Sequence, residues 1–225
     1  MELKNAVPWG RSYEEYLSMF SLSEDDLKQY ILDVSGGPSG FNAGVKDRGG
    51  HMTTIDPVYE FSKDEIDARI QEVYPQIESQ LTKNKENYHW DFYPDPQTLC
   101  QTRMKAMSTF LEDYELGTRQ NRYVKGALPD LPLENDCFDI ALCSHFLFTY
   151  CYHFDVEFHI EALFEMLRVS SEVRVFPIVA IDSKPVPFFE EVLDRLHKSG
   201  FVTTLKEVSY EFQKGANQML VITKG

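Results

Sequence analysis

The 225-residue chain has no apolar run of transmembrane length and no signal-peptide pattern, so neither membrane contact nor secretion is expected. Cysteines number only four, Cys100, Cys137, Cys143 and Cys151, with no C-x-x-C pair. A disulfide framework is thereby excluded, and the thiols read as reduced and mostly buried in a cytosolic protein. Cys151, His153 and His159 are metal-ligand types, but their spacing is not a zinc pattern, and no metal is expected. Basic residues are scarce: 22 Lys and Arg stand against 36 Asp and Glu, for a net charge of −14. So acidic a surface repels phosphate backbones, which disfavours nucleic acid as a partner. Internal repeats and low-complexity segments are missing too. What remains is a chain with 43% hydrophobic residues, enough for one domain with extensions spanning 1–225. No feature sets an oligomeric state.

The most informative stretch is Ile31-Leu32-Asp33-Val34-Ser35-Gly36-Gly37-Pro38-Ser39-Gly40. A short apolar run carries an acid and meets a glycine-rich turn, as when a buried parallel strand delivers its C-terminal end to a small-molecule site. A second run, His51 to Ile55, ends at Asp56. That acid follows Asp33 at about the 20-residue spacing that puts a carboxylate on a nucleotide ribose. Ser35, Gly37 and Gly40 fill the slots of a dinucleotide G-x-G-x-x-G turn, but Pro38 lacks an N–H for a pyrophosphate. A ligand with an ammonium and no phosphate, such as S-adenosylmethionine, suits the turn better. A tight strand-to-helix turn without a ligand is the alternative.

Around this unit, Ser12 caps a short amphipathic helix and Ser23 starts a second. About 65 residues then separate Asp56 from the next strand at Tyr123-Val124, where a crossover needs a dozen or more. Ser62 and Glu65 form a capping box ahead of Ile66, Ile70, Val73, Ile77 and Leu81 at helical spacing. A second helix is expected from Pro96 to Tyr114, with Gly117 as its stop. Strands are expected at Phe138–Cys143, Val173–Ala180, Val202–Phe212 and Gln218–Thr223. Helices are expected from Asp155 to Arg168 and from Pro187 to Gly200.

This order, with Leu32-Asp33-Val34-Ser35-Gly36-Gly37-Pro38, Asp56 and the run Leu131–His145, resembles the class I S-adenosylmethionine-dependent methyltransferases over roughly residues 30–225. The run Leu131–His145, which opens Leu131-Pro132-Leu133-Glu134-Asn135-Asp136-Cys137-Phe138-Asp139, is the most specific part. Pro8-Trp9-Gly10-Arg11 and Tyr210–Gly215 bring the whole chain close to a bacterial methyltransferase-like subgroup without an assigned substrate. The resemblance implies an α/β Rossmann-like sandwich: a mostly parallel sheet with an antiparallel C-terminal strand, N-terminal helices and a helical insertion. It implies methyl transfer from S-adenosyl-L-methionine by in-line displacement, to an acceptor that the acidic surface and the insertion suggest is a small molecule. Residues 1–29 would form a helical lid, and 58–120 a substrate cap.

Roles follow from the same resemblance. Asp33 would orient the methionine ammonium, directly or through water, beside Ser35, Gly36 and Gly37; capping the next helix is the alternative. Asp56 would grip both ribose hydroxyls, unless it only forms a turn before Pro57. Ser144 and His145 would face the methyl group, His145 as general base or hydrogen-bonded to bound water; a core histidine is the alternative. Arg11 would hold the methionine carboxylate, or else pair with Glu14 or Glu15 at the surface. Phe146, Phe148, Tyr150, Tyr152 and Phe154 would line a pocket or simply fill the core. Three departures from the family pattern stand out. Ser170-Ser171-Glu172-Val173 replaces a K-P-G-G turn. Ser35 takes a glycine's place, at about 1 kcal/mol if its φ is positive. Gly126-Ala127 replaces Gly-Asp, leaving adenine to backbone N–H groups near Ala127 and Leu128, or to Asp130. The rival reading is a catalytically silent binder of the same fold. A nicotinamide oxidoreductase is disfavoured by Pro38.

Overall fold

The computed structural model describes residues 8–225; the first seven residues of the expected lid lie outside the described residues. Among the described residues six α-helices and seven strands follow one another: α1 (Tyr13–Phe20), β1 (Tyr30–Val34), α2 (Phe41–Asp47), β2 (His51–Ile55), α3 (Lys63–Lys83), α4 (Pro96–Arg119), β3 (Tyr123–Val124), β4 (Phe138–Ser144), α5 (Val156–Val169), β5 (Ser170–Phe176), α6 (Phe189–Lys198), β6 (Phe201–Glu207) and β7 (Gln218–Lys224). The strands form one sheet in the order β3-β2-β1-β4-β5-β7-β6. Strands β1 to β5 pair in parallel, and β7 runs antiparallel to both its neighbours. The sheet is thus the mostly parallel, Rossmann-like one that the sequence implies. Among the described residues no helix is long and apolar enough to cross a membrane.

Alternation along the strands divides the core into two layers. Leu32 and Val34 of β1, with Ala141 and Cys143 of β4, face a cluster completed by Leu163 and Met166 of α5. Ile31, Ile140 and Leu142 face the other side, where Tyr16, Met19 and Phe20 of α1 and Phe41 of α2 cover them. Asp33 shares the face of Ile31, and this period of two is what puts its carboxylate under Tyr16.

Local chemistry sets the helix starts. Ser12 and Glu15 cap α1 reciprocally: the Ser12 N–H donates to Glu15 Oε2 at 2.9 Å and the Glu15 N–H to Ser12 Oγ at 3.2 Å. Ser62 and Glu65 do the same for α3, and Asp95 accepts from the Thr98 N–H to start α4. Elsewhere tertiary packing moves the expected boundaries. The Ser23 start yields only a 3-10 turn, Asp26–Lys28. Helix α4 runs through Gly117 to Arg119; a Cβ at 117 would collide with the Tyr123 ring, so that glycine lets β3 pack close instead of stopping the helix. Ser170 to Val173 is not a turn. β5 starts at Ser170, which pairs with Phe138, directly after α5. It starts three residues before the expected Val173 and ends at Phe176, four residues short of the expected Ala180, because Pro177 has no N–H to extend a central strand. Helix α6 begins at Phe189, two residues after Pro187, and Gly200 lies just past its end at φ +87°. β6 stops at Glu207, where its pairing with Gln218 ends. Beyond it, the chain turns back over the sheet edge: Phe212 stacks on Tyr88 at 4.6 Å and accepts a hydrogen bond from the His89 N–H at 2.8 Å.

Candidate functional site

A cavity of about 900 Å³ opens at the C-terminal ends of β1, β2 and β4, within the size range of small-molecule sites. Its floor includes Ser35, Gly36 and Gly37 after β1, Asp56 after β2, and Ser144 and His145 after β4. Ala127 and Leu128 line it beyond β3, and Trp9, Arg11 and Tyr16 line it from the N-terminal segment. Ile66, Ile77 and Leu81 of α3 and Arg103 of α4 supply another wall. The insertion thus meets the sheet at the strands' C-terminal edge.

The β1 turn is built around two positive φ angles, Ser35 at +60° and Gly37 at +55°. Ser35 therefore bears the left-handed conformation that its side chain disfavours by roughly 1 kcal/mol, and its N–H is anchored on the Ile55 carbonyl at 2.7 Å. A Cβ at Gly36 would collide with the Asp33 carboxylate and with Thr54, so only glycine fits there. Tyr59 donates its hydroxyl to the Gly37 carbonyl at 2.6 Å, tying the turn to the segment after β2.

Asp33 is fully buried and does not line the cavity. Its two oxygens accept from the Tyr16 hydroxyl at 3.3 and 3.1 Å. Burial pushes its pKa well above the usual carboxylate range, against the opposing effect of the Tyr16 bond. Tyr16, not Asp33, presents the polar surface here. Asp56 is half-buried. Its Oδ2 accepts from the Gly37 N–H at 2.9 Å and its Oδ1 from the Val58 N–H at 2.8 Å. Each carboxylate oxygen has two lone pairs, so one on each is left for a diol. Burial again raises this acid's pKa, with the two N–H bonds pulling the other way. Asp56 also caps the turn that begins at Pro57, so the turn-forming alternative and the ligand-facing position coexist.

His145 has φ +52° and lines the cavity, its Nδ1 2.9 Å from Ser144 Oγ. Burial first, then the charges of Arg11 and Arg103, push its pKa well below the usual imidazole range. The ring is therefore neutral at pH 7 and a weak base. Asp130, offered as an adenine partner, is exposed and does not line the cavity. Of the aromatic run after β4, Phe146 and Tyr150 reach the cavity, Phe148 is core and Tyr152 points to solvent. His159 is absorbed by carbonyls, with Asp155 O at 2.7 Å and Leu147 O at 3.0 Å from its ring nitrogens.

Arg11 is not paired with Glu15. The partner of Glu15 is Arg103, at 2.6 Å, with side-chain exposures of 0% and 2%. Glu15 also accepts from the Tyr210 hydroxyl at 2.8 Å, in addition to the Ser12 N–H. Sequence reading missed this cluster. The available signal was a cation on an apolar stripe: Arg103 stands four residues from both Leu99 and Met107 on the buried face of α4. Tyr16 and Tyr59 were missed because their hydroxyl partners are set by packing.

No protein-family model matches the chain. The uncharacterised protein MJ0045 of Methanocaldococcus jannaschii is 32% identical over 225 residues, covering 100% of this chain and 99% of that protein. Among solved structures, the methyltransferase domain of bacterial-CtHen1-CN superposes with a TM-score of 0.52 at 13% identity, covering 93% of this chain and 98% of that one. The mitomycin 7-O-methyltransferase MmcR gives a TM-score of 0.51 at 14% identity, over 95% of this chain and 54% of its own. The chain belongs to one family with the M. jannaschii protein, and its fold is that of the class I S-adenosylmethionine-dependent methyltransferases.

Proposed function

We propose that this protein transfers a methyl group from S-adenosylmethionine to a small-molecule acceptor. One observation carries the reading: a single cavity at the strands' C-terminal edge gathers the Ser35–Gly37 turn, a carboxylate with two spare lone pairs at Asp56, and an unpartnered, buried Arg11 Nε. These groups fit the donor's distinct parts. Asp56 would hold the ribose hydroxyls, Arg11 the methionine carboxylate, and the backbone near Ala127 and Leu128 the adenine edge. The Tyr16–Asp33 pair would meet the ammonium through the Tyr16 oxygen or a water. When bound, S-adenosylmethionine supplies an electrophilic methyl group on a sulfonium, which an acceptor lone pair takes in line with the breaking S–C bond.

The protein's own contribution is alignment and exclusion of water. The turn and Asp56 fix the donor end, while α3, α4 and the N-terminal segment wall off the cavity as lid and cap. His145, neutral at pH 7, takes the acceptor's proton on Nε2 or passes it to water, with Nδ1 held by Ser144. Its weak basicity favours acceptors that shed their proton easily. That same weakness is what a silent binder of this fold would show, and release of S-adenosylhomocysteine separates the two readings.

Calorimetry and thermal unfolding with S-adenosylmethionine test the proposal. A Kd of about 1–100 µM stabilises the fold by about 1–4 kcal/mol at millimolar ligand. No heat and no thermal shift at that concentration refute it.

A further inference from the structure

The charged side chains of the cavity wall are all accounted for without an acceptor. Glu60, Glu65 and Arg69 are exposed on its rim. Each has a partner there: Lys125 Nζ lies 2.9 Å from Glu60, Glu65 takes the Ser62 hydroxyl at 2.6 Å, and Arg69 pairs with Glu72. Arg103 is neutralised by Glu15. Asp56 and Arg11 are assigned to the donor, and the His145 ring is uncharged at pH 7. Among the described residues, the wall keeps no charge of either sign for a second molecule.

What it does keep is apolar surface. Ile66, Ile77 and Leu81 reach the cavity from the buried stripe of α3. Trp9, Tyr88, Phe146, Tyr150 and Phe212 add rings, and Ile181 extends the wall past β5. Gln213 is a polar but neutral point among them, its amide nitrogen tied to Ala180 O and Ser183 Oγ, each at 2.9 Å. The volume of about 900 Å³ lies near the top of the roughly 300–1,000 Å³ range that holds one drug-sized ligand, so the donor leaves room for a smaller partner. A carboxylate or an ammonium entering here would give up water for a wall without an opposite charge, a cost that a neutral ring does not meet. The attacking atom must still shed a proton beside a weak base. A phenol does both, being neutral at pH 7, with a pKa of about 10 as in tyrosine, yet far more acidic than an alcohol.

We propose that the methyl acceptor is an uncharged aromatic molecule bearing a phenolic hydroxyl, its ring packed on the α3 stripe and on the Tyr88–Phe212 stack. The assignment rests on the methyltransferase reading above. A lone pair of the phenol oxygen forms the O–C bond as the S–C bond breaks. The electron pair of that bond stays on sulfur, leaving a neutral thioether, and the phenol proton passes to His145 Nε2 or to water.

The test is calorimetry at pH 7 on the wild-type protein saturated with S-adenosylhomocysteine. It is titrated separately with 2-naphthol, with 2-naphthoate and with 2-naphthylmethylamine, which present one ring system as a neutral, an anionic and a cationic guest. The naphthol is expected to bind about tenfold or more tightly than either ion, the scale of one buried polar group left without a partner. Ile181→Asp, in protein shown to be folded by circular dichroism, should weaken the naphthol and strengthen the amine, each about tenfold, because it supplies the missing counter-charge. Binding of either ion as tight as that of the naphthol, no naphthol heat at about 1 mM, or unchanged affinities in Ile181→Asp overturns the proposal. If the aspartate variant does not fold, the three-probe comparison on wild type decides. Failure of S-adenosylhomocysteine itself to bind removes the donor reading, and the acceptor assignment with it. Donor binding with the wrong order of probes removes the acceptor assignment alone.

Discussion

Glu15 Oε1 lies 2.6 Å from Arg103 Nη2, and both side chains are closed to solvent. The pair joins α1, from the N-terminal segment, to α4, from the insertion, beside the cavity. Charges so deeply buried are held by each other and by Tyr210. Removing one leaves the other stranded.

Glu15→Ala should therefore destabilise the fold by about 3–5 kcal/mol, measured by urea unfolding. Glu15→Leu combined with Arg103→Met should recover most of that loss, because no charge is left unpaired. A double-mutant cycle with no coupling between the two positions would show that the pair contributes nothing to holding α1 on α4.

Asp33 is an acid whose folded pKa is raised. Such a group contributes stability that is fully present below the unfolded pKa and is lost as pH rises through the folded pKa. At pH 7 the buried carboxylate is thus a cost. Asp33→Asn keeps an acceptor for the Tyr16 hydroxyl and should be more stable than wild type at pH 7, with the difference vanishing near pH 4. Its affinity for S-adenosylmethionine should fall, a site held at the expense of stability. Denaturation curves at both pH values, paired with calorimetry, check the two halves.

Asp56→Ala removes the acceptor of the Gly37 and Val58 N–H groups as well as the proposed diol grip. Binding of S-adenosylmethionine should weaken by about 1–3 kcal/mol. Unchanged affinity would take Asp56 out of the site.

His145 sits well below the ordinary imidazole pKa of about 6.5. Turnover should accordingly stay flat from pH 8 down through 6.5 and fall only at more acid pH. His145→Ala should leave donor affinity nearly intact and lower turnover by roughly 10²–10⁴-fold. An acid limb centred at an unshifted imidazole pKa would contradict the burial of the ring and the electrostatic role of Arg11 and Arg103.

The insertion offers a dynamic test. If α3 and α4 cap a ligand, amide exchange across Lys63–Arg119 should slow when S-adenosylhomocysteine binds, while β1, β4 and β5 stay protected throughout. Uniform exchange in both states would make the insertion a static wall.

Local rules made much of this protein legible in one dimension. The run of apolar residues into Asp33 and the glycine turn set β1 and its loop; the Ser12 cap and the Ser62–Glu65 box set two helix starts; Asp56 marked the end of β2. Each depends on neighbours a few residues apart, which a sequence displays directly. Tertiary structure decided the rest. The alternation that buries Leu32 also turns Asp33 away from the cavity and under Tyr16, but which residue covers it depends on where α1 docks. Gly117 reads as a stop until the Tyr123 ring is seen against it. Glu15 reads as a surface partner for Arg11, and becomes the partner of Arg103 only when α1 and α4 come together across 88 residues of chain. Burial is a property of the assembled layers. So are the shifted pKa values of Asp33 and His145, since desolvation depends on how many groups surround a charge and not on which residues precede it.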